Sequence, residues 1–200
     1  MNSIAQSVLD FWFTPNNLSP EDAQARMSIW FSSNADFDYD IERRFGKLVS
    51  VAAKSGFDGW EEDARTNLAL VILLDQFPRN LYRDSANAFA TDAKALRLAK
   101  LALGRGDLNS LSPLEGSFLL MPFQHAEDLD AQNMGLEAYK TLASSAQEEW
   151  KKMILGVAEF AERHRAVIEK FGRFPHRNLT LGRETTTAEK AYLEEGGETF

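Results

Sequence analysis

"WKKMILGVAEFAERHRAVIEKFG", residues 150–172, decides the fold class because its apolar side chains repeat with the period of an α-helix. The positions follow one another at alternating steps of four and three residues, which is the spacing of one helix face. This stripe consists of Trp150, Ile154, Val157, Ala161, His164, Ile168 and Phe171. Gly172 follows it, and a glycine in the left-handed conformation commonly ends a helix. The stretch predicts a long amphipathic helix that ends at Gly172 and buries His164.

Start and stop signals of further helices recur along the chain. Ser112, Pro113 and Glu115 form the pattern of a capping box with proline at the first helical position. The same pattern recurs at Ser19, and Thr186 with Glu189 forms a capping box without the proline. Glycines that close helices are Gly104 with Gly106, and Gly196 with Gly197. Strand signals are nearly absent, since no segment alternates apolar and polar residues cleanly. We therefore predict an all-α fold of about nine helices in antiparallel hairpins, packed as a bundle or a short helical array.

Composition limits the classes of protein to which the chain can belong. The sequence has 200 residues and no Pro-, Gly- or Ser-rich linker, so we predict one domain over residues 1–200. The net charge of −8 argues against a nucleic-acid or anionic-membrane surface. The absence of cysteine removes thiolate chemistry and cysteine-ligated metals. The N-terminus lacks the features of a signal peptide and the longest apolar run is Leu68–Leu74, so we expect a soluble, cytoplasmic protein.

The first polar segment follows a helix that is apolar on all sides, in "LALVILLDQFPRN", residues 68–80. Pro78 disfavours helical geometry at the residue before it, so we predict that the helix ends near Asp75 and Gln76. An aspartate at the negative end of a helix dipole needs a cation. Arg79, Arg83 or an arginine from the C-terminal part of the chain can supply it. Asp75 then either stabilises the helix end through an ion pair or belongs to a site.

The second polar segment is "LLMPFQHAEDLDAQ", residues 119–132. We predict that its buried helix ends at Met121 and Pro122 and that a loop then presents Gln124 and the residues after it. His125 and Glu127 on a loop can ligate one metal, or the carboxylate can orient the imidazole for acid–base chemistry. In the alternative interpretation His125 is only hydrogen-bonded, and Asp128 caps the next helix.

The third polar segment is "FGRFPHRN", residues 171–178. It contains Arg173, His176, Arg177 and Asn178 between and after two phenylalanines. Guanidinium groups bind carboxylate or phosphate through paired hydrogen bonds. The arginines that can form such an anion pocket are Arg79, Arg173, Arg177 and Arg183. In the alternative, these arginines satisfy Asp75, Glu127 and the carbonyl groups at helix ends.

We predict that the three segments converge at one end of the bundle and form one polar pocket. Its candidate ligand-binding residues are Asp75, Gln76, Arg79, Asn80, Gln124, His125, Glu127, Arg173, His176, Arg177 and Asn178. The favoured function is the binding of a small anionic ligand or a carboxylate-bearing peptide. The residues identify no cofactor, assign no metal site, and define neither a catalytic set nor an oligomeric state.

Two other functions remain open. The first is an interaction scaffold, in which the polar segments are structural and an apolar patch around Trp12, Trp30 and Phe31 binds a protein. The favoured interpretation of these aromatic residues is instead that they dock the N-terminal helices on the core. The second is a metal- or histidine-dependent hydrolase, in which His125 and His176 act with Glu127 or Asp75. A hydrolytic metal site usually needs three protein ligands, and only two of these residues are adjacent in sequence.

Several motifs together resemble the bacterial family catalogued as domain of unknown function 924. The motifs are "VLDFWF", "LLDQFPRN", "AFATDAKAL", "MPFQHAED", and "FGRFPHRN" followed by "LGRETTTAE". The resemblance extends from Val8 to about Leu193. It implies an all-α fold of the tetratricopeptide-like kind and a cytoplasmic protein, and it assigns no activity and no catalytic residues. The chain lacks the tetratricopeptide consensus, so peptide binding does not follow from the fold label.

Overall fold

The computed structural model describes residues 2–14 and 18–200, and the regular secondary structure of these residues is entirely helical. They form nine helices when a continuous run interrupted by a π-helical turn is counted once: α1 (Ser3–Trp12), α2 (Pro20–Phe31), α3 (Ala35–Ala53), α4 (Ala64–Val71, Ile72–Gln76 and Phe77–Leu81), α5 (Asp92–Arg105), α6 (Pro113–His125), α7 (Leu129–Ser145), α8 (Glu148–Phe171) and α9 (Thr187–Glu194). Short 3-10 turns lie at Asp58–Glu62, Ala86–Ala88, Asp107–Ser110 and Pro175–Arg177. The predicted all-α fold is confirmed.

The helix boundaries that local signals predicted are present. Ser19, Ser112 and Thr186 each form a complete capping box. Gly172 ends α8 and Gly106 ends α5, both in the left-handed conformation, whereas Gly104 lies inside α5. These boundaries depend on hydrogen bonds within one turn, which the local sequence specifies.

The longest helix, α8, packs along α7 to form a helical hairpin. Only Ala146 and Gln147 separate the two helices, and a loop this short brings consecutive helices together as antiparallel neighbours. The apolar stripe of α8 faces inward, and His164 is 1% exposed as expected. This hairpin and α6 enclose one hydrophobic cluster, while α1, α3, α4 and α6 enclose a second. Within the described residues no helix is both long and apolar enough to cross a membrane.

The aromatic residues near the N-terminus belong mainly to the core. Trp12 is fully buried and Trp30 is 4% exposed, and the indole N–H of Trp30 donates to the carbonyl oxygen of Trp12 at 3.2 Å. Both rings pack edge-on against Phe118. Phe31 alone of the three proposed patch residues is exposed, at 55%. Two of the three residues therefore dock α1 and α2 on the core, as the favoured interpretation of these aromatic residues expected, and they do not form an exposed apolar patch.

Helix α4 continues past the position at which we predicted its end. The N–H of Phe77 bonds to the carbonyl oxygen of Ile72, five residues back, which makes one wide π-helical turn. Pro78 has no N–H for the carbonyl oxygen of Leu74, and the hydroxyl of Thr91 donates to that oxygen at 2.5 Å instead. Because a distant side chain replaces the missing bond, Pro78 does not end the helix.

Helix α6 likewise continues through Pro122, so the predicted end at Met121 and Pro122 is wrong. Nearly every side chain of this helix is buried, and the surrounding helices hold its last turn in place. The side-chain amide of Gln132 donates to the carbonyl oxygens of Gln124 and Ala126 at 2.6 and 2.9 Å, which satisfies the helix end. His125 therefore lies on the last turn of a helix rather than on a loop, and Asp128 caps α7, as the alternative interpretation expected.

Candidate functional site

The centre of the site is a buried contact between Asp75 and His125. Asp75 is fully buried, and its Oδ1 lies 2.7 Å from Nδ1 of His125. Its other oxygen accepts a hydrogen bond of 2.5 Å from the amide of Gln76, and Nη1 of Arg79 lies 3.4 Å from Oδ1. The π-helical turn of α4 holds the Asp75 side chain toward the end of α6. Such turns are rare and occur frequently at functional sites.

The protonation states of the pair follow from their surroundings. Burial favours a neutral Asp75, but the charges of His125 and Arg79 and the hydrogen bonds from His125 and Gln76 outweigh it and lower the pKa of the carboxyl group. Burial and the charge of Arg79 lower the pKa of His125, against the opposing effect of Asp75. Asp75 is therefore an anion and His125 is neutral near pH 7.

This assignment determines the tautomer of His125. An ionised carboxylate can only accept hydrogen bonds, so Nδ1 of His125 carries the proton and donates it to Asp75. Nε2 then has a free lone pair, and it forms no hydrogen bond with any described residue. The side chain of His125 is 16% exposed. A carboxylate that orients a histidine in this way prepares the outer nitrogen for proton transfer or ligand binding.

Three of the four arginines that we assigned to an anion pocket are already paired with carboxylates. Each makes two hydrogen bonds of 2.6 to 3.0 Å to one carboxylate: Arg79 with Asp92, Arg183 with Glu127, and Arg173 with Glu189. Arg83 is paired with Asp38 in the same way. Because paired guanidinium groups have few free donors, these three arginines follow the alternative interpretation, in which they satisfy carboxylates of the protein.

Arg177 is the exception. It is 5% exposed, and its guanidinium carbon lies 4.5 Å from the ring centre of Phe89 and 4.4 Å from that of Phe174. Nη1 donates to the carbonyl oxygen of His125 at 3.1 Å and lies 3.5 Å from an oxygen of Asp92 that Arg79 already uses. Its Nε is buried without a partner among the described residues. Burial, followed by the charge of Arg79, lowers the pKa of Arg177 to about 10, which leaves it a cation.

The other two histidines lie beside this centre. The ring centre of His164 lies 6.3 Å from that of His125 and 5.7 Å from that of Phe174. The ring centre of Phe174 lies 5.7 Å from that of His176. Burial lowers the pKa of His164 to about 3 and that of His176 to about 4, so both are neutral. Both ring nitrogens of His176 are buried without a hydrogen-bond partner in the described part of the chain. The three segments therefore meet, and all three histidines lie in one region.

Four of the candidate residues have structural contacts of their own. Asn80 donates to Asp38 at 2.8 Å, Gln124 donates to Tyr139 at 2.6 Å, Arg173 pairs with Glu189, and the amide of Asn178 lies 3.3 Å from Glu189. Asn80 and Gln124 make these bonds outside the group formed by Asp75, His125 and Arg177. Arg173 and Asn178 instead tie the segment around Arg177 to α9.

His125 and Glu127 have different partners, so neither of the two roles that they could share, as ligands of one metal or as a carboxylate that orients the imidazole, matches the structure. His125 faces Asp75, whereas Glu127 accepts from Arg183 and from the backbone N–H of Phe174 at 2.8 Å. The two side chains diverge because α6 ends between them. Over residues 2–14 and 18–200, no group of three or more His, Asp or Glu residues is arranged to hold a metal ion.

Sequence reasoning missed three residues of this region. Asp92 pairs with Arg79 and approaches Arg177, Phe89 lies against Arg177, and the ring of Phe200 stacks on His164 with ring centres 3.5 Å apart. Phe89 and Asp92 stand in the motif "AFATDAKAL", which supported the family resemblance but was not used for the site. Phe200 has no local signal, since only the tertiary structure brings it to His164.

Two cavities lie away from this region. One, of about 530 Å³, lies along α5 between Ala93 and Arg105. The other, of about 770 Å³, lies between Leu18 and Trp150. Neither is lined by Asp75, His125 or Arg177. Because the buried, incompletely paired polar groups lie around His125, we place the candidate site there rather than at these two cavities.

The fold and the site define a helical protein with a buried Asp–His pair and an adjoining buried arginine at the ends of its central helices. The chain belongs to the family described as "Bacterial protein of unknown function (DUF924)", whose sequence profile matches residues 8–197. It is similar to a solved structure of ATU0120, a protein of unknown function from Agrobacterium tumefaciens. The two share 39% identity with a TM-score of 0.80, over 96% of this chain and 98% of that one. A comparison with curated proteins finds no match.

Proposed function

We propose that the protein binds a small anionic molecule where Arg177 and His125 meet. The supporting observation is Arg177 itself, a buried cation whose nearest carboxylate, Asp92, lies 3.5 Å away and is held by Arg79. Buried charges in proteins are normally paired at close distance, because an unpaired buried charge is costly. An anion that accepts hydrogen bonds from Arg177 supplies the missing partner.

The charge of the surroundings favours a singly charged ligand. Three guanidinium groups and three carboxylates lie in this region, so their formal charges cancel: Arg79, Arg177 and Arg183 against Asp75, Asp92 and Glu127. Affinity then depends on the geometry at Arg177 and not on a surplus of positive charge. A carboxylate fits this arrangement, whereas a polyphosphate would meet the three acidic groups.

His125 links the binding of an anion to the uptake of a proton. In the free protein Nε2 of His125 has a lone pair, which repels an anion. An anion beside it favours the protonated ring, whose Nε2–H donates a hydrogen bond. Because the pKa of His125 is lowered in the free protein and a bound anion raises it, binding becomes tighter as the pH falls toward the lowered pKa.

Calorimetric titration with acetate tests this function. We expect binding at pH 6 that weakens at pH 8, with proton uptake seen as a dependence of the heat on the buffer. Arg177→Gln should weaken binding by about tenfold or more, since it removes a charge-assisted hydrogen bond. Arg43→Gln is the matched control, because its side chain is 62% exposed. Acetate affinity equal to that of the unaltered protein in Arg177→Gln would refute the proposal.

The contact between Asp75 and His125 supports a second candidate function, acid–base catalysis such as ester hydrolysis. The orientation of His125 by a buried anion leaves Nε2 ready to accept a proton from water or a hydroxyl group. Because the pKa of His125 is lowered, the active base persists below pH 6.5 and the rate falls only at lower pH. Aryl ester hydrolysis that is lost in His125→Asn and shows this pH profile would establish it. Equal rates in both proteins would exclude His125 as the base.

A further inference from the structure

We propose that Phe89 determines the specificity of the site, and that the ligand is a monocarboxylate with an apolar substituent. The inference deepens the proposed function and rests on it. In this arrangement the carboxylate of the ligand binds at Arg177, and the carbon atoms next to the carboxylate pack against the ring of Phe89.

Phe89 lies in the turn before α5 and contacts two arginines of the site. Its ring centre is 4.5 Å from the guanidinium carbon of Arg177 and 5.7 Å from that of Arg79. An aromatic ring at this distance from a cation stabilises the cation. The contact also places apolar surface directly beside the guanidinium group at which we propose that an anion binds.

Solvent reaches this region at a place that we call the opening, defined by Arg79, Phe89, Asp92 and His125. The side chains of its three polar residues are between 16 and 21% exposed, and Phe89 is partly exposed. These residues are neighbours, because Arg79 pairs with Asp92 and because both Arg79 and His125 contact Asp75. A ligand that binds Arg177 therefore extends toward solvent through the opening.

The second ring that contacts Arg177 is closed to a ligand. The ring centre of Phe174 lies 4.4 Å from the guanidinium carbon of Arg177, but Phe174 is fully buried. Of the two rings, only Phe89 belongs to the opening. A substituent that points from Arg177 to solvent consequently passes Phe89.

The distances are short enough for this contact. Charge-assisted hydrogen bonds hold a carboxylate carbon about 4 Å from a guanidinium carbon. The ring centre of Phe89 lies at a similar distance from the same guanidinium carbon, 4.5 Å. The first carbon atoms beyond the carboxylate therefore meet the ring on their way to the opening. An apolar group gains from this burial, whereas a hydroxyl group loses its bonds to water and gains no partner from the ring.

The polar residues of the opening offer little to a substituent. Arg79 and Asp92 bind each other through two hydrogen bonds of 2.9 and 3.0 Å. Nε2 of His125 binds the carboxylate itself in the proposed function. The ring of Phe89 is thus the part of the opening that has no other polar or charged group of the ligand to bind, and it favours a hydrocarbon group.

Calorimetric titration with propionate and glycolate tests the inference. The two acids have the same number of non-hydrogen atoms, and a methyl group in the first replaces a hydroxyl group in the second. We expect the unaltered protein to bind propionate about fivefold more tightly than glycolate. In Phe89→Ala the two affinities should differ by less than about twofold. Phe57→Ala is the matched control and should keep the preference, because Phe57 is also partly buried but stacks on Trp60.

A second measurement does not depend on the stability of Phe89→Ala. We expect nuclear Overhauser effects between the methyl protons of bound propionate and aromatic protons of the unaltered protein. Phe89→Leu keeps an apolar side chain at this position, so it should fold and retain a preference for propionate. It removes the aromatic protons of Phe89, and the Overhauser effects should disappear with them.

The inference and the proposed function fail in different ways. Three results would each overturn the inference: glycolate that binds the unaltered protein at least as tightly as propionate, a preference that persists in Phe89→Ala, or Overhauser effects that persist in Phe89→Leu. If Arg177→Gln still weakens the binding of both acids, the proposed function stands in all three cases. An unaltered protein that binds neither acid would overturn both.

Discussion

Replacing Asp75 with asparagine tests the centre of the site directly. The attraction between Asp75 and Arg79 at 3.4 Å is worth about 5 kcal/mol at an effective dielectric constant of about 20. The substitution also removes the cost of burying the carboxylate, and Arg79 keeps its two bonds to Asp92, so no cation is left unpaired. Asparagine can still accept one hydrogen bond from His125. We expect Asp75→Asn to lower the free energy of unfolding by about 2 to 3 kcal/mol at pH 7.

The pH dependence of this loss has a definite sign. The pKa of Asp75 is lowered in the folded protein, so its contribution is complete above the unfolded value of about 3.9 and is lost as the pH falls below it. The difference between the two proteins should therefore persist from pH 8 to about pH 5 and shrink below about pH 4. His125 should titrate at a lower pH in the variant, because the anion that favours its charged form is gone.

Urea denaturation followed by circular dichroism measures the first effect, and NMR titration of the histidine ring protons measures the second. Asp40→Asn is a matched control, because Asp40 pairs with Arg43 on the surface and its side chain is 47% exposed. We expect the control to change stability by less than about 0.5 kcal/mol. If Asp75→Asn is as stable as the control, or if the pKa of His125 rises in the variant, the assigned charges of the pair are wrong.

Two further predictions concern the helices that position the site. Thr91→Val should cost about 1 to 2 kcal/mol in thermal or urea unfolding, because the carbonyl oxygen of Leu74 loses the hydroxyl donor that replaces the missing N–H of Pro78. An unchanged stability would contradict this role. Gly135→Ala should lower the free energy of unfolding by about 1 to 3 kcal/mol, because a Cβ there would lie 2.4 Å from Cβ of Phe123. Gly156→Ala is the control and should raise stability, because a Cβ there meets nothing within 4 Å. The opposite order in the two melting temperatures would refute the close approach of α6 and α7.

The local sequence predicted the elements of the fold well because their signals act over one or two turns. The capping boxes at Ser19, Ser112 and Thr186 and the glycine stop at Gly172 involve residues three or four apart. Pro78 and Pro122 misled the same reasoning. Each removes one backbone donor, but whether the helix ends there depends on what surrounds it, and at Pro78 the hydroxyl of Thr91 from outside the helix replaces the donor.

The site was predicted only as a set of segments. The motifs around Asp75, His125 and Arg177 were recognised from their polar residues beside buried helix ends. The sequence did not predict which residue pairs with each charged side chain. Arg79 has several acidic residues within reach in sequence, and its pairing with Asp92 depends on how α4 and α5 pack. For the same reason a four-arginine pocket was expected, whereas the structure leaves one arginine incompletely paired.

The sequence by itself determined the all-α class, the helix ends set by caps and glycines, the burial of His164 and the family, because each depends on local periodicity or on motifs read along the chain. Only the tertiary structure decided that His125 meets Asp75, that the carboxylate nearest to Arg177 is already bonded to Arg79, and that Phe200 fills the space beside His164. These contacts join residues between 36 and 85 positions apart in the sequence. The pairs are His164 with Phe200, Asp75 with His125, and Asp92 with Arg177. Their formation depends on the packing of whole helices, which balances many weak interactions that no short stretch of sequence contains.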